Sequence, residues 1–326
     1  MRLSTIDDRS ADGRLAVISA DHATAVLAGD AFPTLQSALE RWDEALPYLQ
    51  HLSAALAAGD AAGAFAYDPA QSRAPLPRAW QWLDGSVYLS HSMLIAEAYG
   101  QSNPLWERPL MYQGMSHQFL GPLEDVPLPS EDDGIDFEGE FGIITDFVPM
   151  GTTKEQARDH IKLLVQINDW SLRTIASREM ETGFGWVRGK PACSVAPLAL
   201  TPDELGDKWA NARVHLNLDI AWNGARFGNA NGGEMAFGFD ELIAHAAQTR
   251  SLCAGTMIGS GTVSNATYRE VGSSCIAEKR GIEVLDHGAP QTAFMRFGDE
   301  VRMRAIGADG SFPFGEIHQK VVKSGA

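Results

Sequence analysis

The stretch GIDFEGEFGIITDF, residues 134–147, sets acids at alternate positions of a segment whose apolar residues mark it as a β-strand. Ile135, Phe137, Phe141 and Ile143 take the odd positions, and Asp136, Glu138 and Glu140 the even ones. Side chains of a strand alternate between faces, so the odd set predicts a core face, interrupted by Gly139. The even set then forms a row of carboxylates about 7 Å apart. Such a row repels itself, and partial burial raises its pKa values. Two readings stay open at this point. One is a solvated outer face; the other is a site for a hard divalent cation, which takes clustered carboxylate oxygens.

The rest of the chain narrows the class. At 326 residues it is long enough for one large domain or two smaller ones. A hydrophobic content of 44% with 21% charged residues belongs to a globular protein with a full core. The formal charge of −16 argues against nucleic acid and against an anionic membrane surface, both of which need a basic face. Three cysteines, Cys193, Cys253 and Cys275, form no even framework and no CxxC, which fits free thiols in a reducing compartment. The polar, acidic start is no signal peptide, and no apolar run is long enough to span a bilayer. The expected location is cytoplasmic.

Along the chain, Leu15–Ser19 and Ala23–Leu27 read as short strands. Residues 34–60 read as a helix with Leu35, Leu39, Trp42, Leu46 and Leu49 on one face. The proline-rich segment 68–80 is the clearest linker, and a domain boundary is expected there, dividing 1–75 from 76–326. Residues 86–99 predict a helix carrying His91, and 103–133 loops with short strands. Thr152 with Glu155 suggests a capping box opening a helix over 152–165, with Ala157, Ile161, Leu164 and Val165 buried. A further helix is expected at 239–249, and strands at 213–222, 256–264, 292–306 and 313–323. The fold class is α+β: a small N-terminal domain followed by a larger mixed β-sheet domain.

Four motifs could carry chemistry: DFEGE at 136–140, NDWSLR at 168–173, GKPACS at 189–194 and GSGTVS at 259–264. Each is weak alone, since an Asp before Trp is usually a turn and a Lys in a Gly-Pro loop is usually solvated. Together and in this order they resemble the fumarylacetoacetate hydrolase family, loosely over the full length. The resemblance implies that Glu138, Glu140 and Asp169 are metal ligands, with Asp136 in a supporting role. Three carboxylates without His or Cys make an all-oxygen site, suited to Mg²⁺ first, with Ca²⁺ or Mn²⁺ as alternatives.

By the same resemblance, Lys190 and Arg173 are catalytic cations, and Tyr112, Gln113 and Thr262 contact the substrate. A His–Glu pair that activates water maps onto His91 and Glu278, with His117 and Glu270 as rivals. The family's Gln three residues after the Arg is Ala176 here. Its further metal-ligating acid near the His-bearing helix has no assigned counterpart among residues 84–94. Residues 84–121 are the lid expected over the site.

The function implied is a metal-dependent hydrolase that cleaves a carbon–carbon bond in a β-diketo acid such as fumarylacetoacetate or an acylpyruvate, in aromatic catabolism. A homodimer, acting on a small-molecule keto acid, is implied with it. A 2-keto acid hydratase, decarboxylase or isomerase would use the same metal site. A non-catalytic metal-binding protein is a separate class. Phosphoester chemistry is disfavoured, because only 26 Lys and Arg are spread through the chain.

Overall fold

The computed structural model describes residues 1–100 and 107–325. A twelve-stranded mixed sheet forms its centre, flanked by a five-stranded sheet. The strand Ile161–Asn168 lies in the middle of the large sheet, antiparallel to Gly139–Thr145 on one side. On its other side it meets Ala199–Leu200, which in turn pairs with the N-terminal strand Arg2–Ile6. The N-terminal strands Arg14–Ile18 and Thr24–Leu27 extend the sheet from there. Beyond Gly139–Thr145 come Thr256–Gly259, then Gln81–Ser86 in parallel, then Leu110–Gln113 at the edge.

Both faces of this sheet are covered. One face packs Leu163, Val165 and Ile167 against the helices of the N-terminal region, through Leu35, Leu39 and Leu49. The other packs Phe141, Ile143 and Leu164 against Leu218, Ile220 and Met303 of the smaller sheet. A strand buried on both faces needs apolar residues throughout rather than an alternation. That is why the helix expected over 152–165 is not one. The helix is only Lys154–Ala157, capped by Thr153 with Gln156 in place of Thr152 with Glu155, and Ile161, Leu164 and Val165 belong to the central strand. A short apolar run satisfies helical and buried-strand patterns alike.

Other expectations also shift. The helix over 34–60 is two helices, Leu35–Leu39 and Trp42–Ala58, broken where Arg41 leaves helical geometry. The proline-rich segment is not a free linker: Ser72–Arg73 pairs with Thr5 and Ile6, and Ala74 and Leu76 are buried. Its backbone is also held by Thr5, whose hydroxyl donates to the Pro75 carbonyl at 2.6 Å. The helices Leu89–Tyr99 and Phe239–Ala246 fall where periodicity puts them. The helix Ile276–His287 and the strands Arg2–Ile6 and Ala225–Asn231 go beyond the sequence reading.

The acidic segment itself is not one strand. Ile135–Asp136 pairs with Ser171–Leu172, the ladder is interrupted at Phe137, Glu138 bridges to Cys275, and a new strand runs Gly139–Thr145. All three acids are buried, which removes the solvated-face reading. Among the described residues no helix is long and apolar enough to cross a membrane.

Candidate active site and metal centre

Register across five adjacent strands assembles the site. Gly139 pairs with Asn168, and just beyond it the Asp169 N–H donates to the Glu138 carbonyl at 3.0 Å, at the end of the ladder that also carries Glu140. Gly142 pairs with Gly259, Gly259 with Asp84, and Asp84 with Tyr112. Residues remote in sequence are thus brought to one sheet end. Carboxylate oxygens of Asp84, Glu140 and Asp169, all fully or almost fully buried, lie within 4.8 Å of one another.

The GSGT turn explains how two buried acids tolerate each other. The Gly261 N–H donates to both Asp84 Oδ1, at 3.1 Å, and Glu140 Oε2, at 3.2 Å. Gly261 takes φ +79, and a Cβ there would stand 2.5 Å from the Gly85 carbonyl oxygen, so only glycine fits. Thr262 then donates to Glu138 Oε2 at 2.6 Å.

Glu138 is placed differently from the expected metal trio. Its carboxylate is taken up by cations: Lys190 Nζ at 2.7 Å and Arg173 at 3.0 Å, both to Oε1. Ser171 donates to the same oxygen at 2.5 Å. Asp84, rather than Glu138, lies with Glu140 and Asp169 in the carboxylate cluster. The physical reason is that Lys190 and Arg173 converge on Glu138 from other segments and take its carboxylate.

Lys190 also reaches Asp169 Oδ2 at 2.5 Å, and Tyr112 donates to that oxygen at 2.7 Å. The Lys190 ammonium lies 5.4 Å and 5.5 Å from the ring centroids of Tyr112 and Trp186, which pack edge to face. Its loop is tied to the Arg173–Thr182 helix through Glu179. That carboxylate accepts from the backbone N–H groups of Val187, Arg188 and Gly189 at 3.1, 3.0 and 2.9 Å. Arg173, at the start of the helix, pairs with Asp136 at 2.8 Å. Asp136 in turn accepts from the N–H groups of Ile276 and Ala277, at the N-terminus of the Ile276–His287 helix. This is a supporting position.

His91 and Glu278 meet. Nδ1 of His91 is 3.0 Å from Oε2 of Glu278, and Ser264 donates to the other oxygen at 2.9 Å. Their two helices approach closely because a Cβ on Gly281 would come 2.6 Å from Leu94 Cδ2. His117 and Glu270 are exposed instead. Gln113 turns away from the cluster, accepting a bond from Arg250 at 3.2 Å. As the strand neighbour of Tyr112 it must face the opposite side. The expected lid is mostly sheet and helix, and its residues 101–106 lie outside the described ones. Ala176 packs against Gly189, where a Cβ on the glycine would come 2.8 Å from Ala176 Cα.

Burial pushes the carboxyls of Asp84 and Glu140 well above the usual range, and the neighbouring acids push the same way. At Glu138 burial works in that direction too, but Arg173 and Lys190 outweigh it and hold the group ionised. Lys190 is desolvated, yet Asp169 and Glu138 raise it above the ordinary lysine value. Five buried acids, Asp84, Asp136, Glu138, Glu140 and Asp169, face two cations, Arg173 and Lys190. A divalent ion fits this imbalance. Oε1 of Glu140 is buried with no hydrogen-bond partner, and the donor set is oxygen alone.

Comparison with known proteins agrees with this architecture. Residues 82–322 match the family model described as fumarylacetoacetate (FAA) hydrolase C-terminal. The chain belongs to the fumarylacetoacetate hydrolase family. Residues 1–78 match the fumarylacetoacetase N-terminal domain 2.

Among relatives of this family member is the 2,4-didehydro-3-deoxy-L-rhamnonate hydrolase of Sphingomonas sp., 28% identical over 61% of this chain and 70% of that protein. Another is the mitochondrial oxaloacetate tautomerase fahd2 of Xenopus laevis, 25% identical over 55% of this chain and 53% of that protein. This chain therefore spans about half of that relative's length. The maleylpyruvate hydrolase of Sphingobium sp. SYK-6, solved with manganese (II) and pyruvate, superposes with a TM-score of 0.66 at 18% identity. That match covers 99% of this chain and 100% of the other, and at such identity it speaks to the fold alone. The chain is an enzyme of a superfamily that includes hydrolases and tautomerases.

Proposed function

We propose that this enzyme is a divalent-metal-dependent hydrolase that cleaves a carbon–carbon bond in a β-diketo acid, fumarylacetoacetate or an acylpyruvate being the substrate type. The observation that carries the reading is the His91–Glu278 pair, 3.0 Å apart, on helices flanking the sheet that bears the buried acids. Isomerisation and decarboxylation of a keto acid have no need of an activated water; hydrolysis does.

Asp84, Glu140 and Asp169 would hold the cation, with Mn²⁺ and Mg²⁺ both compatible with oxygen donors. When bound, it would supply Lewis acidity toward the keto–enol oxygens of the substrate. Glu278, pinned by Ser264, accepts the Nδ1 proton of His91 and leaves Nε2 free to take a proton from water. Water oxygen then bonds to the carbonyl carbon, and the adjoining carbon–carbon bond breaks with its electron pair moving into the leaving enolate. The imidazolium returns the proton to that enolate. Lys190 and Arg173 supply fixed positive charge near the developing anion, and Tyr112 with Trp186 walls the Lys190 side.

A second reading is favoured by the tautomerase relative and by Ala176, which offers no side-chain amide: enolisation of a 2-keto acid on the same cluster. Absorbance of fumarylacetoacetate, acetylpyruvate and oxaloacetate separates the two. Metal-dependent loss of either diketo acid, abolished by EDTA and restored by Mn²⁺, supports the hydrolase. Tautomerisation of oxaloacetate with both diketo acids stable overturns it.

A further inference from the structure

The N-terminal end of the Ile276–His287 helix gathers a donor set unlike that of the carboxylate cluster. An imidazole nitrogen of His91, Sγ of Cys275 and a carboxylate oxygen of Glu278 lie within 4.8 Å of one another. Cys275 and Glu278 are fully buried and His91 is 19% exposed, so access runs past the imidazole. Hard ions such as Mg²⁺ take oxygen alone, whereas nitrogen, sulfur and oxygen together are the ligands of zinc and its neighbours. We propose that His91, Cys275 and Glu278 form a second metal site, selective for divalent ions of the zinc class.

The surroundings suit a cation with a thiolate ligand. Cys275 caps the helix, its sulfur accepting from the Glu278 N–H at 3.3 Å, a bond a thiolate accepts at least as well. Asp136 accepts from the next two amides, Ile276 and Ala277, and so offsets the positive helix end that would otherwise repel the ion. Arg173 is turned to Asp136 and Glu138. Ser264 holds the second oxygen of Glu278. Burial and the charge of Asp136 keep the Cys275 thiol protonated in the free protein, so binding releases one proton to solvent: thiol plus M²⁺ gives metal thiolate plus H⁺. The ion takes the place of the proton between His91 and Glu278, the imidazole carrying its proton on Nε2 instead, so the net release stays at the thiol's one. The loss of water activation that follows rests on the proposed hydrolysis; the binding does not.

Co²⁺ is the probe, because thiolate ligation gives an intense near-ultraviolet charge-transfer band that oxygen ligation lacks. The full chain is titrated in excess Mg²⁺, in a Cys253→Ser background that removes the exposed thiol. The expected result is a band that survives Cys193→Ser and disappears in Cys275→Ser. Serine keeps an acceptor for the Glu278 amide, and circular dichroism checks the fold. His91→Ala, changed at the accessible edge, is expected to weaken Co²⁺ binding at least tenfold as read by the same band. No band in the parent overturns the proposal. So does a band lost with Cys193→Ser, which would place the thiolate beside Asp169 at the carboxylate cluster. Neither readout needs a substrate, so failure of the hydrolase reading leaves the test intact.

Discussion

Nδ1 of His91 stands 3.0 Å from Oε2 of Glu278, although 187 residues separate them in the chain. Two helices bring them together, and the absence of a side chain at Gly281 lets those helices close. If this pair activates water, His91→Ala and Glu278→Gln lower kcat for diketo-acid cleavage by roughly a hundred- to ten-thousand-fold. Affinity for Mn²⁺ at the carboxylate cluster stays within a few-fold of the parent. Steady-state kinetics with a parallel metal titration checks both halves; a kcat unchanged in either variant contradicts the role.

Asp84 and Glu138 are expected to respond differently. Asp84→Asn removes a member of the carboxylate cluster and weakens Mn²⁺ binding by at least tenfold in calorimetry. Glu138→Gln leaves the three clustered carboxylates in place and acts on Lys190 and Arg173 instead, so its main effect falls on kcat. Equal losses of metal affinity in the two variants would return Glu138 to the ligand set.

Lys190 is buried between Glu138 and Asp169. Replacing it with methionine leaves both acids without their shared cation, a change that costs about 3–5 kcal/mol when a buried pair is broken. Thermal unfolding in EDTA is expected to show this loss. Mn²⁺ is expected to raise Tm more in the variant than in the parent, since it neutralises Asp169. A variant as stable as the parent in EDTA would mean that the ammonium is not an electrostatic keystone.

The Glu179 clamp gives a pH dependence with a definite sign. The backbone N–H of Arg188, with those of Gly189 and Val187, holds its carboxyl below the ordinary range, against the opposing effect of burial. A depressed carboxylate stabilises the folded loop above its unfolded pKa, and that contribution fades as pH falls through the folded value. Hydrogen exchange, corrected for intrinsic rates, should show the amides of 187–189 losing protection on acidification. Glu179→Gln should show the same loss at neutral pH and lower kcat through a less fixed Lys190. Protection that is flat in pH and unaffected by the substitution would remove Glu179 from this role.

The sequence announces the acids more clearly than their partnerships. Glu140 and Asp169 sit in motifs that point to them, and Lys190 and Arg173 stand out in the same way. Asp84 does not, because QWLDGS shows one acid in a short strand, and its importance arises from parallel pairing with Gly259 far along the chain. Glu138 is legible as a site residue but not as the partner of cations, because Lys190 and Arg173 reach it from other segments of the chain. The 152–165 segment fails for a related reason. Only the sheet determines that Ile161–Asn168 is buried on both faces. Non-local pairing decides each of these, and local pattern cannot see it.

The proposed hydrolysis adds water across a carbon–carbon bond. The most direct test is turnover of an acylpyruvate in heavy-oxygen water, with mass spectrometry of the products under Mn²⁺ and under EDTA. Two products are expected, one of them a carboxylic acid carrying a solvent oxygen in its new carboxylate, formed only with metal. A single product of unchanged carbon skeleton, or carbon dioxide with no solvent oxygen in a new carboxylate, would contradict it.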